Sequence, residues 1–165
     1  MRYIFQDSKK QRNVEEELEH IEAYIRIQKL RYGEEAFSFE ATMDGDIGEW
    51  KVPSLLLQTL VENSVVHGVS LDRKSEISLY LTNETYEDGE YLYICISDTG
   101  NGFRKEALDA IEHDTPIIYH GRHHVGISNI KRRLALMYGE RASITCSNMD
   151  ENYGAVVEVR LPKTE

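Results

Sequence analysis

Thr59, Asn63 and His67 stand four residues apart in a largely apolar run from Pro53 to Gly68. On a helix they form one polar stripe, and burying an amide and an imidazole costs free energy unless partners satisfy them. An asparagine oxygen is a hard ligand suited to Mg2+, whose other ligands are usually waters and phosphate oxygens. A second cluster follows in Asp98-Thr99-Gly100-Asn101-Gly102. A carboxylate there can accept a hydrogen bond from the exocyclic amine of adenine, and Gly100 and Gly102 let the backbone approach a base and ribose closely. A third cluster, Val125-Gly126-Ile127-Ser128-Asn129, opens an apolar helix, whose free N–H groups and dipole attract phosphate. Each also has an ordinary reading: Asn63 as a cap, His67 as a satisfied core residue, Asp98 as a turn residue, Gly126 as a steric start. Their order along the chain points to a nucleotide pocket. Glu62, about 100° around the helix from Asn63, faces either the same pocket edge or water.

Other chemistries lack their residues. There is no Gly-x-x-x-x-Gly-Lys-Ser/Thr run, no His-Arg-Asp or Asp-Phe-Gly, no Gly-x-Ser-x-Gly and no His-Glu-x-x-His. Lys and Arg number 19 against 29 Asp and Glu, a net charge of −10, which argues against a nucleic-acid surface. No apolar run approaches a membrane span and no signal peptide is seen. Cys95 and Cys146 sit in apolar, strand-like runs and read as buried small hydrophobes in a reducing compartment, the cytoplasm. His120, Arg122, His123 and His124 form either a phosphate-gripping lid or a transition-metal site. The lid is preferred, since no carboxylate or cysteine partner has a ligand spacing.

The elements that must position these residues follow from periodicity. At 165 residues and 41% hydrophobic content the chain fits one domain. Residues 1–12 read as a tail or the end of a longer helix, and 13–165 as the domain. Asn13 and Glu16 make a capping-box start, and Val14, Leu18, Ile21, Ile25 and Tyr32 recur at helical spacing up to Gly33. Glu15, Glu16, Glu17, Glu19 and Glu22 read as a solvated face. Phe37, Phe39, Ala41 and Met43 alternate as a half-buried strand. Pro53 reads as the first residue of a helix to His67, stopped by Gly68. Strands around Ile77–Leu81 and Leu92–Ile96 flank an Asp88-Gly89 hairpin signal, in a loop longer than a tight turn. Residues 104–112 form a short helix, 114–124 a loop, 126–138 a long helix closed by Gly139, and 142–148 and 154–161 two last strands. The pattern predicts an α/β (α+β) two-layer sandwich: a mixed, mostly antiparallel sheet with helices on one face. It is not a Rossmann pattern.

The strings "EEELEHIEAYIRIQKLRYG", "VPSLLLQTLVENSVVHG", "DTGNG" and "HVGISNIKRRLALMYG" resemble the ATP-binding catalytic domain of bacterial sensor histidine kinases, in the GHKL superfamily, and most of all its LytS/YesM type. The resemblance covers about residues 13 to 162 and implies the Bergerat fold. Matched position by position, it implies Asn63 as the Mg2+ ligand, with Glu62 and His67 lining the site and Glu62 a candidate for polarising the accepting imidazole. It implies Asp98 as the adenine-reading carboxylate, Gly100 and Gly102 in the base-binding turn, Gly126, Ile127 and Asn129 at the phosphates, and 103–125 as the ATP lid. Departures are Val66 where many relatives carry lysine, His124 for a glycine, Ala155 for threonine and Thr99 for asparagine. The family's His-Phe-x-Phe-Asn phosphoacceptor string is absent.

The resemblance therefore implies a catalytic domain that binds ATP and Mg2+ but does not autophosphorylate alone. It would present the γ-phosphate to a histidine in the dimerisation region of the full-length homodimer, and the phosphoryl group would pass to a response regulator. Relatives are usually anchored in a membrane by N-terminal helices, with this part in the cytoplasm. The alternative is a nucleotide-binding-deficient pseudo-kinase module used for protein–protein signalling, for which Val66, His124 and Ala155 speak. A third reading is a metal-regulated domain built on the lid histidines.

Overall fold

The computed structural model describes residues 10–115, 125–151 and 153–164. In chain order these form β1 (Gln11–Asn13), α1 (Val14–Tyr32), β2 (Phe37–Asp44), β3 (Lys51–Pro53), α2 (Leu56–Gly68), β4 (Ser75–Tyr86) and β5 (Gly89–Asp98). Then come α3 (Lys105–Glu112), α4 (Val125–Tyr138), a 3-10 turn Gly139–Arg141, β6 (Ser143–Asp150) and β7 (Tyr153–Pro162). Among the described residues five strands make one sheet in the order β2-β4-β5-β7-β6, and β1 and β3 make a second, small one. β2 runs parallel to β4, and every other pair is antiparallel.

Alternation along the strands decides which face is covered. Ile77, Leu79 and Leu81, then Leu92, Ile94 and Ile96, then Val157, Val159 and Leu161 are all buried. They share one core with Leu56, Leu57, Leu60, Val61 and Val65 of α2, each such side chain contributing about 1.5–3 kcal/mol by leaving water. Ser78, Tyr80, Tyr93, Cys95 and Glu158 alternate with them and remain exposed or half-buried. Both cysteines are free and half-buried, and burial pushes the Cys146 thiol up to about 12.

The capping box forms as expected: the Glu16 N–H donates to Asn13 Oδ1 at 2.9 Å and the Asn13 N–H to Glu16 Oε2 at 3.3 Å. Five expectations are corrected. Glu17 is not on the solvated face but wholly buried, because it reaches across to the start of α2. Pro53 does not open that helix. It ends β3, with Gln11 opposite Pro53 and Arg12 opposite Val52, so Gln11 and Arg12 are part of the folded body and not a tail. Pro53 lacks an N–H, which a short edge strand tolerates. Leu55, at φ +66, then turns the chain into α2, a left-handed conformation that costs a leucine about 1–2 kcal/mol. In β2 the inward alternation holds only for Phe37 and half-buried Phe39. Ala41 and Met43 are exposed, since the strand lies at the sheet edge. Finally, Tyr86 pairs with Gly89, so polar residues carry the hairpin to a tight two-residue turn.

Candidate nucleotide-binding site

Helix α2 packs between α1 and α4 and across β4, β5 and β7. Its core side is Leu57, Leu60, Ser64 and Gly68; Thr59, Asn63 and His67 lie on the flank, half-buried. The Thr59 hydroxyl donates to the Leu55 carbonyl at 2.7 Å, which turns its methyl outward. A β-carbon built on Gly126 would meet that methyl at 3.9 Å. The first turn of α4 therefore lies against the N-terminal half of α2.

The other end of α2 meets the Asp98 turn. Asp98 closes β5 opposite Ile77 and is only 3% exposed. A β-carbon on Gly68 would lie 2.8 Å from Asp98 Cγ, and one on Gly100 would lie 2.6 Å from the Gly68 Cα. Both glycines are steric requirements of this contact. Gly68 is the last residue of the helix, not a residue beyond it. Burial pushes the Asp98 carboxyl up, against hydrogen bonds from the Gly100 and Ala155 N–H groups and from Ser64. The Gly100 N–H reaches Oδ1 at 2.9 Å and the Ala155 N–H the same atom at 3.5 Å.

The turn itself is anchored on three sides. Thr99 exchanges bonds with Glu76 through its N–H (3.1 Å) and hydroxyl (2.9 Å), and Arg73 donates to its carbonyl at 2.9 Å. The Gly154 N–H donates to the Gly100 carbonyl at 2.8 Å. Asn148 of β6 grips Phe103 with both ends of its amide: Oδ1 accepts from the Phe103 N–H at 2.7 Å and Nδ2 donates to its carbonyl at 2.9 Å. Gly102, at φ +74, would place a β-carbon 2.7 Å from that Oδ1. Ser64, Gly68 and Asn148 were not expected as site residues. Ser64 and Gly68 share a four-residue spacing with Leu60, and Asn148 gives no local signal at all.

Glu62 sits on the opposite flank from Asn63, with exposed Val66 between them. Gln58 donates to its Oε1 at 2.9 Å. Burial first, and then the Glu62 charge, push the α1 phenol of Tyr24 up to about 12. Asn129 is exposed one turn into α4, and Ile127 is buried beneath it. Lys131 caps the end of α3 through the Ile111 carbonyl at 2.7 Å and pairs with Asp114 at 3.0 Å. His120, Arg122, His123 and His124 lie outside the described residues; among those described, no three metal-ligating side chains cluster.

A buried carboxylate flanked by glycines thus lies at one end of α2, and a glycine-led helix start at the other. Residues 52–165 match the profile of the histidine kinase-, DNA gyrase B- and HSP90-like ATPases, and residues 1–36 that of histidine kinases. The sensor histidine kinase YpdA of Escherichia coli is 31% identical over 132 residues, 78% of this chain and 21% of its own length. The sensor protein LytS of Streptococcus agalactiae is 30% identical over 152 residues, 90% of this chain and 24% of its own. The fold is that of the catalytic domain of histidine kinase ThkA, with a TM-score of 0.68 at 15% identity, covering 94% of this chain and 95% of that one. ThkA has a further structure in complex with the response regulator protein TrrA. The chain belongs to the histidine kinase-, DNA gyrase B- and HSP90-like ATPase family, and the relatives it matches in sequence are sensor histidine kinases. It spans about a quarter of the length of the curated relatives it matches.

Proposed function

We propose that this domain binds Mg·ATP and presents its γ-phosphate to a histidine in the dimerisation region of the full-length protein, a homodimer. The observation that carries the reading is the path of α2. Gly68 packs against the Asp98 turn and the Thr59 methyl faces Gly126, a rise of roughly 14 Å along the helix, which suits an extended nucleoside triphosphate. Asn63 lies between the two ends.

In this reading Asp98 accepts from the adenine amine, while Gly100 and Gly102 admit the base and ribose. Gly126, Ile127 and Asn129 place the first turn of α4 at the phosphates. The Asn63 oxygen would hold Mg2+, with His67 beside it; when bound, the metal supplies charge neutralisation at the phosphates. The position of Glu62 between Gln58 and Tyr24 supports a role at the margin, meeting the incoming imidazole. A response regulator would then take the phosphoryl group. Among the described residues no helix is long and apolar enough to cross a membrane. The reading places the domain in the cytoplasm, below a membrane-anchored sensor.

Calorimetric titration with ATP, with and without Mg2+, tests the reading on the unaltered chain and on Asp98→Asn. Metal-dependent binding that the substitution abolishes is expected. No binding by the unaltered chain would overturn it in favour of a signalling scaffold.

A further inference from the structure

Helix α2 starts without a cap of its own. Leu55 offers no side-chain acceptor and is held at φ +66, yet the first N–H groups of a helix need partners. The missing acceptor comes from α1, 38 residues earlier in the chain. The Leu55 N–H donates to Glu17 Oε1, and the Gln58 backbone N–H is close enough to hold that carboxyl's pKa down against its burial. Glu17 is wholly buried, and among the described residues its Oε2 and the neighbouring Ser54 Oγ find no hydrogen-bond partner. A carboxylate suits the positive end of the helix, and a buried one with an unsatisfied oxygen is sensitive to small displacements.

The same corner is gripped from the other side. Arg133 of α4 donates through Nη1 to the Ser54 carbonyl and through Nη2 to the Lys10 carbonyl at 3.5 Å, and the Ser54 N–H donates to the Lys10 carbonyl at 2.9 Å. Gln11 adds a bond to Tyr138 at the end of α4, at 3.0 Å. Ser54–Leu55 is thus the point where the incoming chain, α1, α2 and α4 all meet.

We propose that Glu17 is a positioning residue for the nucleotide site: it couples the placement of α1 to that of Asn63 on α2, while Arg133 extends the coupling to the phosphate end of α4. Lys10 and α1 both lie within the residues that match the histidine kinase profile, so a displacement arriving from upstream meets the corner first at the Lys10 carbonyl and then through α1. As regulation of the site this rests on the proposed function; the mechanical coupling does not.

The test uses the 165-residue chain with Glu17→Gln, which keeps the size and the acceptor but removes the charge, and with Arg133→Lys. Glu19→Gln, exposed on the same helix, is the control. Amide hydrogen exchange without nucleotide is read first. Faster exchange spreading along α2 to Asn63 and into the first turn of α4 is expected for both variants and not for the control. Mg·ATP affinity is read second, and a loss of about tenfold is expected, within the range of ordinary site-to-site coupling. Because both variants act through one corner, the double variant should lose less than the product of the two. Exchange confined to residues 55–58 with unchanged affinity would overturn the proposal, whatever happens to the melting temperature. Spreading exchange in a chain that binds no ATP would keep the coupling and overturn the nucleotide reading instead.

Discussion

Gly68 and Asp98 are packed so closely that the helix ending at one and the strand ending at the other leave no room for a methyl group: a β-carbon on Gly68 would lie 2.8 Å from Asp98 Cγ and 3.0 Å from its Cβ. One glycine thereby sets how near α2 comes to the carboxylate proposed to read the base.

Gly68→Ala should push α2 and the Asp98 turn apart. We expect a stability loss of about 1–3 kcal/mol, typical of overpacking, and a loss of ATP affinity exceeding tenfold. Urea unfolding and calorimetry check the two separately. Unchanged affinity with reduced stability would show that the contact serves the fold alone.

Asp98→Asn separates function from stability. Burial raises the Asp98 carboxyl above its unfolded value near 3.8. The folded state then holds the proton to higher pH, so its contribution to stability is full below that value and is lost as pH rises through the raised one. Above the unfolded value, keeping this carboxyl buried costs stability that a neutral amide does not. The amide oxygen would still accept from the Gly100 N–H, but its nitrogen would turn a donor toward the adenine amine. We expect a melting temperature at pH 7 no lower than that of the unaltered chain, together with lost ATP binding.

Asn148→Ala removes both bonds by which β6 holds Phe103. A loss of about 1–3 kcal/mol is expected. Nucleotide affinity should fall less than for Asp98→Asn, because Asn148 supports the turn from behind. Asn148→Asp should not rescue, since it replaces the donor to the Phe103 carbonyl with a second acceptor.

Asn63→Ala should abolish the metal-dependent part of ATP binding and spare the rest. Titrations in Mg2+ and in chelator check this: the two affinities, different in the unaltered chain, should converge in the variant.

The stretches with a strong period were legible without coordinates. The α1 capping box, the core faces of β4, β5 and β7 and the mixed sheet with helices on one side all follow from alternation and helical spacing, because burial of one face imposes the period on the residues themselves. The candidate residues Asn63, Asp98 and Gly126 also stood out in the sequence, since a glycine or a polar group in an apolar run carries a conformational or solvation cost. What only the tertiary structure decided lies in contacts between distant segments. Glu17 looks like its neighbours Glu15, Glu16 and Glu19, and only the start of α2, 38 residues on, makes it a buried cap. Asn148 acquires its role from Phe103, 45 residues earlier. Pro53 favours a helix start locally, but pairing with Gln11 outweighs that preference. A local rule sees propensity and period; a hydrogen bond between remote elements leaves neither, and is settled only when the core brings the two together.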